Sequence, residues 1–195
     1  MLAGTTLLWV GALAWYVRGY FVDDAYITFR FVDNLWLGQG FLFNPPERLE
    51  GITNLGWALV LIPLRGLISV PDAAKVLGLV SLTVGLWLVG RIGRRLFEPG
   101  SSVPAAVVLA TAASAEYCYF SLAGMETGLA ALLGLLAIRC LQRRPEGVTA
   151  VSIVAAGLFL VRPEYLIAFP LYLASGCLGR RRARTARSLS IFIGA

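Results

Sequence analysis

Histidine is absent from the 195 residues. Ser-His-Asp triads, Cys-His dyads and every histidine metal site are therefore excluded together. Cysteine is scarce: Cys118, Cys140 and Cys177 lie far apart with no Cys-x-x-Cys spacing, which supports neither a disulfide framework nor a zinc site. Charge is scarce too, at 14% of residues, where a soluble domain carries about 25%. Apolar residues take its place. They make up 58% of the chain, above the roughly 45–50% of a soluble domain, and mean hydropathy is +0.76. They fall in blocks separated by short charged segments, the pattern of a chain that crosses a membrane repeatedly. The net charge of +6 comes from arginines that flank those blocks, where topology signals sit. Nucleic acid is accordingly not an expected partner.

The blocks are residues 1–17, 72–96, 102–114, 127–141, 148–161 and 165–178. A signal peptide with Ala12-Leu13-Ala14 as its cleavage site competes for the first. The missing basic n-region and the blocks that follow favour a membrane span. Several blocks fall short of the ~20 residues of a full span, so their ends are expected to shift. Residues 54–70 are apolar but interrupted by Pro63 and Arg65, and charge asymmetry decides their path. If they do not cross, one side holds eleven basic residues with two acids, and the other six basic residues with nine acids. That satisfies the positive-inside rule. The expected fold is all-α: a polytopic transmembrane bundle of about six spans, both ends cytoplasmic. A long first outer loop, residues 18–70, carries interfacial helices. Residues 1–195 read as one transmembrane domain. No internal repeat is visible, and residues 190–195 read as the opening of another apolar helix, as expected of the N-terminal fragment of a larger protein.

The outer loop is the place for chemistry. Phe21, Tyr26, Phe29, Phe31, Trp36, Phe41 and Phe43 make it too aromatic for a disordered tether. Residues 25–37 read as a short amphipathic helix, with Asp23-Asp24 at its start and Gly38-Gln39-Gly40 at its end. Asn44-Pro45-Pro46 reads as a turn. An aspartate at a helix start accepts a backbone N–H and suits the dipole, worth about 1 kcal/mol. That explains one aspartate better than two. Neighbouring helical residues diverge by about 100°, so one can cap while the other faces a cavity as a general base. Both readings stand. Ile27, Phe31 and Leu35 are expected to pack on the bundle, and the polar side to share a cavity with Glu50, Asn54 and Glu126. Glu47, Glu116 and Glu164 are further outer carboxylates. Arg48 is either a surface ion pair, worth little, or a bidentate ligand for phosphate. Arg162-Pro163-Glu164 marks a helix start, with Pro163 near its first position. The arginines at 180, 181, 182, 184 and 187 read as a topology anchor that also meets anionic lipid.

Asp23-Asp24-Ala25-Tyr26-Ile27-Thr28-Phe29-Arg30, Gly38-x-Gly40, and Asn44-Pro45-x-Glu47-Arg48-x-Glu50-Gly51-x-Thr53-Asn54 together resemble the polyprenyl-phosphate-dependent glycosyltransferases of the GT-C superfamily. The branch most similar contains the terminal arabinofuranosyltransferases of actinobacterial cell-wall arabinan. Gly124-Met125-Glu126-Thr127 and Arg162-Pro163-Glu164 are similar to two further segments of that branch. Pro46 and Tyr165 stand where the family carries glycine, and family members run to many hundreds of residues. The resemblance implies an essential aspartate at Asp23 or Asp24, and substrate contacts at Arg30, Arg48, Glu50, Asn54, Glu126, Arg162 and Glu164. It implies a sugar on a polyprenyl phosphate as donor and a hydroxyl of a glycan, lipid or protein as acceptor, at the outer face of the cell membrane. The implied reaction is an inverting displacement in which a carboxylate deprotonates the acceptor and the lipid phosphate departs. That departure calls for positive charge from arginine, lysine or a divalent metal ion; no residue is assigned to a metal, and no other cofactor is expected. A polytopic transporter component and an inactive membrane scaffold are the competing classes. A transporter calls for ionisable residues within the spans, whereas the carboxylates here collect at one face.

Overall fold

A computed structural model describes residues 2–46, 51–143 and 148–166. Among them the regular structure is entirely helical. In chain order the helices are α1 (Leu2–Tyr16), α2 (Asp23–Trp36), α3 (Leu55–Leu64), α4 (Val70–Leu96), α5 (Val103–Ala113), α6 (Ala115–Leu122), α7 (Thr127–Arg143) and α8 (Val148–Val161). A 3-10 turn at Pro163–Leu166 follows.

The longest helix, α4, has the local signals that length requires. Ser69 caps it, its hydroxyl oxygen accepting from the Asp72 N–H at 3.2 Å. Pro71 stands in the first turn, and Arg94 and Arg95 close the last. Small residues let the ascending α5–α6 pair lie against it. A methyl group on Gly78 would strike the Ser121 carbonyl oxygen, and one on Gly93 would come within 3.1 Å of the Pro104 side chain. Such close backbone approach is how helices associate where water supplies no driving force. Leu82 and Leu86 of α4 meet Ala112, Cys118 and Leu122 across this seam, and Val10 of α1 joins them.

The packing partners set the direction of each helix. Trp9 of α1 donates to the Ala112 carbonyl of α5 at 2.9 Å, and Val17, just beyond α1, lies beside Lys75. Pro104 lies beside Gly93, and Leu122 beside Lys75. Thus α1, α5–α6 and α8 run one way, while α4 and α7 run the other. One end of the bundle gathers the starts of α2, α3, α4 and α7. The opposite end carries Arg91, Arg94, Arg95 and Arg139. The segment expected to cross at 102–114 continues further than its apolar run indicated. It breaks at Ser114, bends by 58°, and resumes as α6. Ser114 ends one helix and caps the next, its hydroxyl oxygen accepting from the Tyr117 N–H.

Helix lengths bear on the spans. By length and apolarity α4 alone passes as a membrane-crossing helix among the described residues, and the bent α5–α6 pair passes if taken as one span. The other expected spans are shorter: α1 has 15 residues, α7 has 17 and α8 has 14. Of the expected span at 165–178 only the first two residues are described, in the 3-10 turn; its remainder and the arginines at 180–187 lie outside the described residues. At ten residues α3 is about 15 Å long, half a hydrocarbon core. Its start touches Glu126, while Arg65 and Gly66 beyond its end meet Asp33 and Trp36 of α2. Both helices therefore lie at the same end of the bundle. Their core, Ala25, Phe29, Val32, Trp57, Ala58 and Leu61, closes against Val70, Ala73 and Ala74 of α4.

Candidate functional site

The residues that assemble the site come from four separate segments. Thr28, buried in α2, donates from its hydroxyl to Asn54 Oδ1 at 3.1 Å. Asn54 precedes α3 and would ordinarily cap it, yet its side chain makes no cap bond. It donates from Nδ2 to Glu126 Oε2 at 2.8 Å instead. Arg162, at the end of α8, donates to the other Glu126 oxygen at 2.7 Å and to Glu164 Oε1 at 3.0 Å. Thr28, Asn54, Glu126, Arg162 and Glu164 thus form one continuous polar chain.

Glu126 is its centre. The residue is only 3% exposed, and both carboxylate oxygens are engaged, as a buried charge requires. Burial opposes the charge on Arg162, but the Glu126 and Glu164 carboxylates outweigh it and raise its pKa. Glu164 is held below the usual carboxylate range by its own backbone N–H and by Arg162.

Gly124 fits α2 to this chain. Its φ of 89° is left-handed, and an added methyl group would lie 2.9 Å from Phe21 and 3.2 Å from Ala25. Only glycine allows both. Its carbonyl accepts from the Trp57 indole at 3.2 Å, and the Val22 N–H bonds to the Ala123 carbonyl at 3.1 Å. The start of α2 is therefore seated on the turn that carries Glu126.

Asp23 and Asp24 form the first turn of α2, and both are exposed. Neither caps the helix: the cap position is Val22, with no side-chain bond. Asp24 stands four residues before Thr28, hence about 40° away around the helix and about 6 Å along it. It shares the stripe that faces Asn54. Asp23 shares the stripe of Ile27 and Arg30. Of the side expected to pack inward, Phe31 is buried, whereas Ile27 is exposed and Leu35 half-buried. Ala25, Phe29 and Val32 form the buried stripe instead, because α2 is pressed onto both α3 and α4.

Arg30 is turned to the loop that follows. Its Nε donates to the Phe43 carbonyl at 2.8 Å and a terminal nitrogen to Asn44 Oδ1 at 3.3 Å. Glu47, Arg48 and Glu50 lie outside the described residues. Glu116 is exposed on α6, about 9 Å of helix away from Leu122 and apart from the polar chain. Among the described residues no three His, Cys, Asp or Glu side chains converge as metal ligands.

Several contributors escape a reading of the sequence. Thr28 is one hydroxyl on an apolar face. Asn34 donates to the Leu42 and Phe43 carbonyls, and Asp33 pairs with Arg65 at 2.5 Å. Lys75 is the sole lysine among 17 basic residues, a signal that could have marked it.

The chain is 31% identical over 168 residues, 77% of its length, to the terminal β-(1→2)-arabinofuranosyltransferase of Mycobacterium tuberculosis. It spans 27% of that relative's length. This likeness relates the chain to a glycosyltransferase. No family model matches the chain, and no solved structure matches it.

Proposed function

We propose that the chain is a transmembrane portion of an integral-membrane glycosyltransferase of the GT-C kind, with Asp23 or Asp24 as its general base. It takes a sugar from a polyprenyl phosphate and delivers it to a hydroxyl of a glycan, lipid or protein. The acceptor O–H proton passes to an aspartate oxygen, and the acceptor oxygen bonds to the anomeric carbon. The bond from that carbon to the phosphate oxygen breaks with inversion, and the lipid phosphate leaves as an anion. Arg162 and Arg48 supply positive charge for it. Asn54, Glu126 and Glu164 stand with Arg162 in the polar chain, and Glu50 and Arg30 are further substrate contacts in this reading. The observation that carries this reading is the placement of Asp24 one helical turn before Thr28, which is joined through Asn54 to the Glu126–Arg162 pair.

The surface supports a membrane setting. Val76, Val80, Val84 and Trp87 form a stripe along α4 that is exposed rather than packed, and Leu8, Trp9 and Trp15 are exposed on α1. Lipid is the solvent that favours such faces. In this reading the chain makes about six spans, with the α2–α3 end on the outer face of the cell membrane and the arginine end in the cytoplasm, as the positive-inside rule favours. The shorter helices are accommodated by local thinning of the bilayer and by snorkelling of flanking residues.

The test is transfer by the intact gene product in membranes. A panel of polyprenyl-phosphate sugars, arabinofuranose first, is offered with arabinan, lipid and peptide acceptors. Release of polyprenyl phosphate coupled to a glycosylated acceptor is expected. Absence of release from every donor, with the protein folded and inserted, contradicts the proposal.

A further inference from the structure

Lys75 lies in the second turn of α4, where a helix dipole disfavours a cation. Its ammonium is nonetheless satisfied, because three carbonyls converge on it. It donates to Val17 O at 2.8 Å, to Leu122 O at 2.6 Å, and to Tyr20 O. The Phe21 ring lies 4.3 Å from the same nitrogen. An ammonium has three N–H groups, so all are used. Val17 follows the end of α1 and Leu122 ends α6, and helix C-termini leave carbonyls unpaired and carry partial negative charge. One cation therefore closes two helix ends from the start of a third.

The two segments that it joins are those that carry the proposed chemistry. Tyr20 is three residues before Asp23, and Leu122 four before Glu126. The bond from Val22 N–H to Ala123 O ties the same segments one step further on. We propose that Lys75 is a positioning residue that sets Asp23 and Asp24 against the Glu126–Arg162 pair, an inference that rests on the base assignment above. A guanidinium cannot replace it: a planar fork does not direct three donors at three carbonyls around a point.

The experiment uses the intact gene product carrying Val22→Cys and Ala123→Cys, with the 22–123 disulfide identified by mass spectrometry after mild oxidation. Lys75→Met is expected to slow that cross-link about tenfold or more. Without the two added cysteines it should lower kcat for transfer from a polyprenyl-phosphate sugar by about 10²-fold while leaving the donor KM nearly unchanged, since a small misplacement costs reactivity rather than binding. A general loss of structure would move KM and kcat together. If Lys75→Met does not fold, Lys75→Arg takes its place with the same expected losses. Unchanged cross-linking, or unchanged kcat with cross-linking lost, overturns the proposal. Full activity in Asp23→Asn and Asp24→Asn, with cross-linking and kcat lost on Lys75→Met, sinks the base assignment and leaves the clasp standing.

Discussion

A carboxylate buried as deeply as Glu126 needs a partner, and Arg162 is that partner. Arg162→Ala should therefore destabilise the folded chain by about 3 kcal/mol, the low end for a broken buried pair because the guanidinium is a third exposed. Thermal unfolding in detergent measures it, and Glu126→Gln in the same background should recover part of the loss. Glu164 acts differently. Its lowered pKa means that its contribution is present above the ordinary carboxylate pKa and fades as pH falls through the depressed value. The gap in melting temperature between wild type and Glu164→Gln should hold steady from about pH 8 to 5 and close on further acidification. Asn54, Glu126, Arg162 and Glu164 were each legible as candidates from their motifs. Their pairing was not, because Asn54 and Glu126 are 72 residues apart and local pattern carries no information about such contacts. Thr28 was illegible for another reason: it is one hydroxyl whose role depends on a side chain brought from elsewhere. Lys75 was marked only by being the sole lysine, and its role depends on carbonyls likewise distant in the sequence.

At the level of elements, α2 was legible to within two residues, since its apolar spacing and the Asp and Gly punctuation agree. Its burial was not, because period alone does not say that α3 and α4 press on neighbouring flanks. The short α3 was legible through Pro63, which removes an N–H bond and crowds the preceding turn; the helix ends one residue later. The missed element is α6. Glu116 read as an outer carboxylate just past the span at 102–114, whereas Ser114 breaks the helix and recaps it. Two glycines test the fit between elements. Gly124→Ala combines a left-handed backbone with a clash against α2, and should cost more than about 1 kcal/mol. Gly78→Val puts branched carbon where the Ser121 carbonyl lies, and should cost about 3 kcal/mol by overpacking. Both are read as a fall in the detergent melting temperature, and a wild-type melt in either would contradict the seam or the turn as described.

For the whole molecule, composition carried the all-helical, membrane-like character directly, because apolar blocks between arginines leave few other folds. The alternation of helix directions adds what charge counting cannot: α2, α3, Asp23, Asp24, Glu126 and Arg162 gather at one end, and Arg91, Arg94, Arg95 and Arg139 lie at the other. In the proposed orientation a cysteine placed at Gln39 should react with an impermeant maleimide from outside intact cells. One placed at Ser101 should react only after permeabilisation, and labelling of Ser101 from outside would reverse the bundle. The central claim is that an aspartate at the start of α2 takes the acceptor proton. Its most direct measurement is the turnover of Asp23→Asn, Asp24→Asn and the double variant in sugar transfer from a polyprenyl phosphate, alongside their melting temperatures. Asparagine keeps size and hydrogen bonding but loses basicity, so at least one single variant and the double variant should lose roughly 10²–10⁴-fold in kcat. Their melting temperatures should stay near wild type, because neither side chain caps the helix. Transfer at near wild-type rates by both single variants and by the double variant would place the base elsewhere.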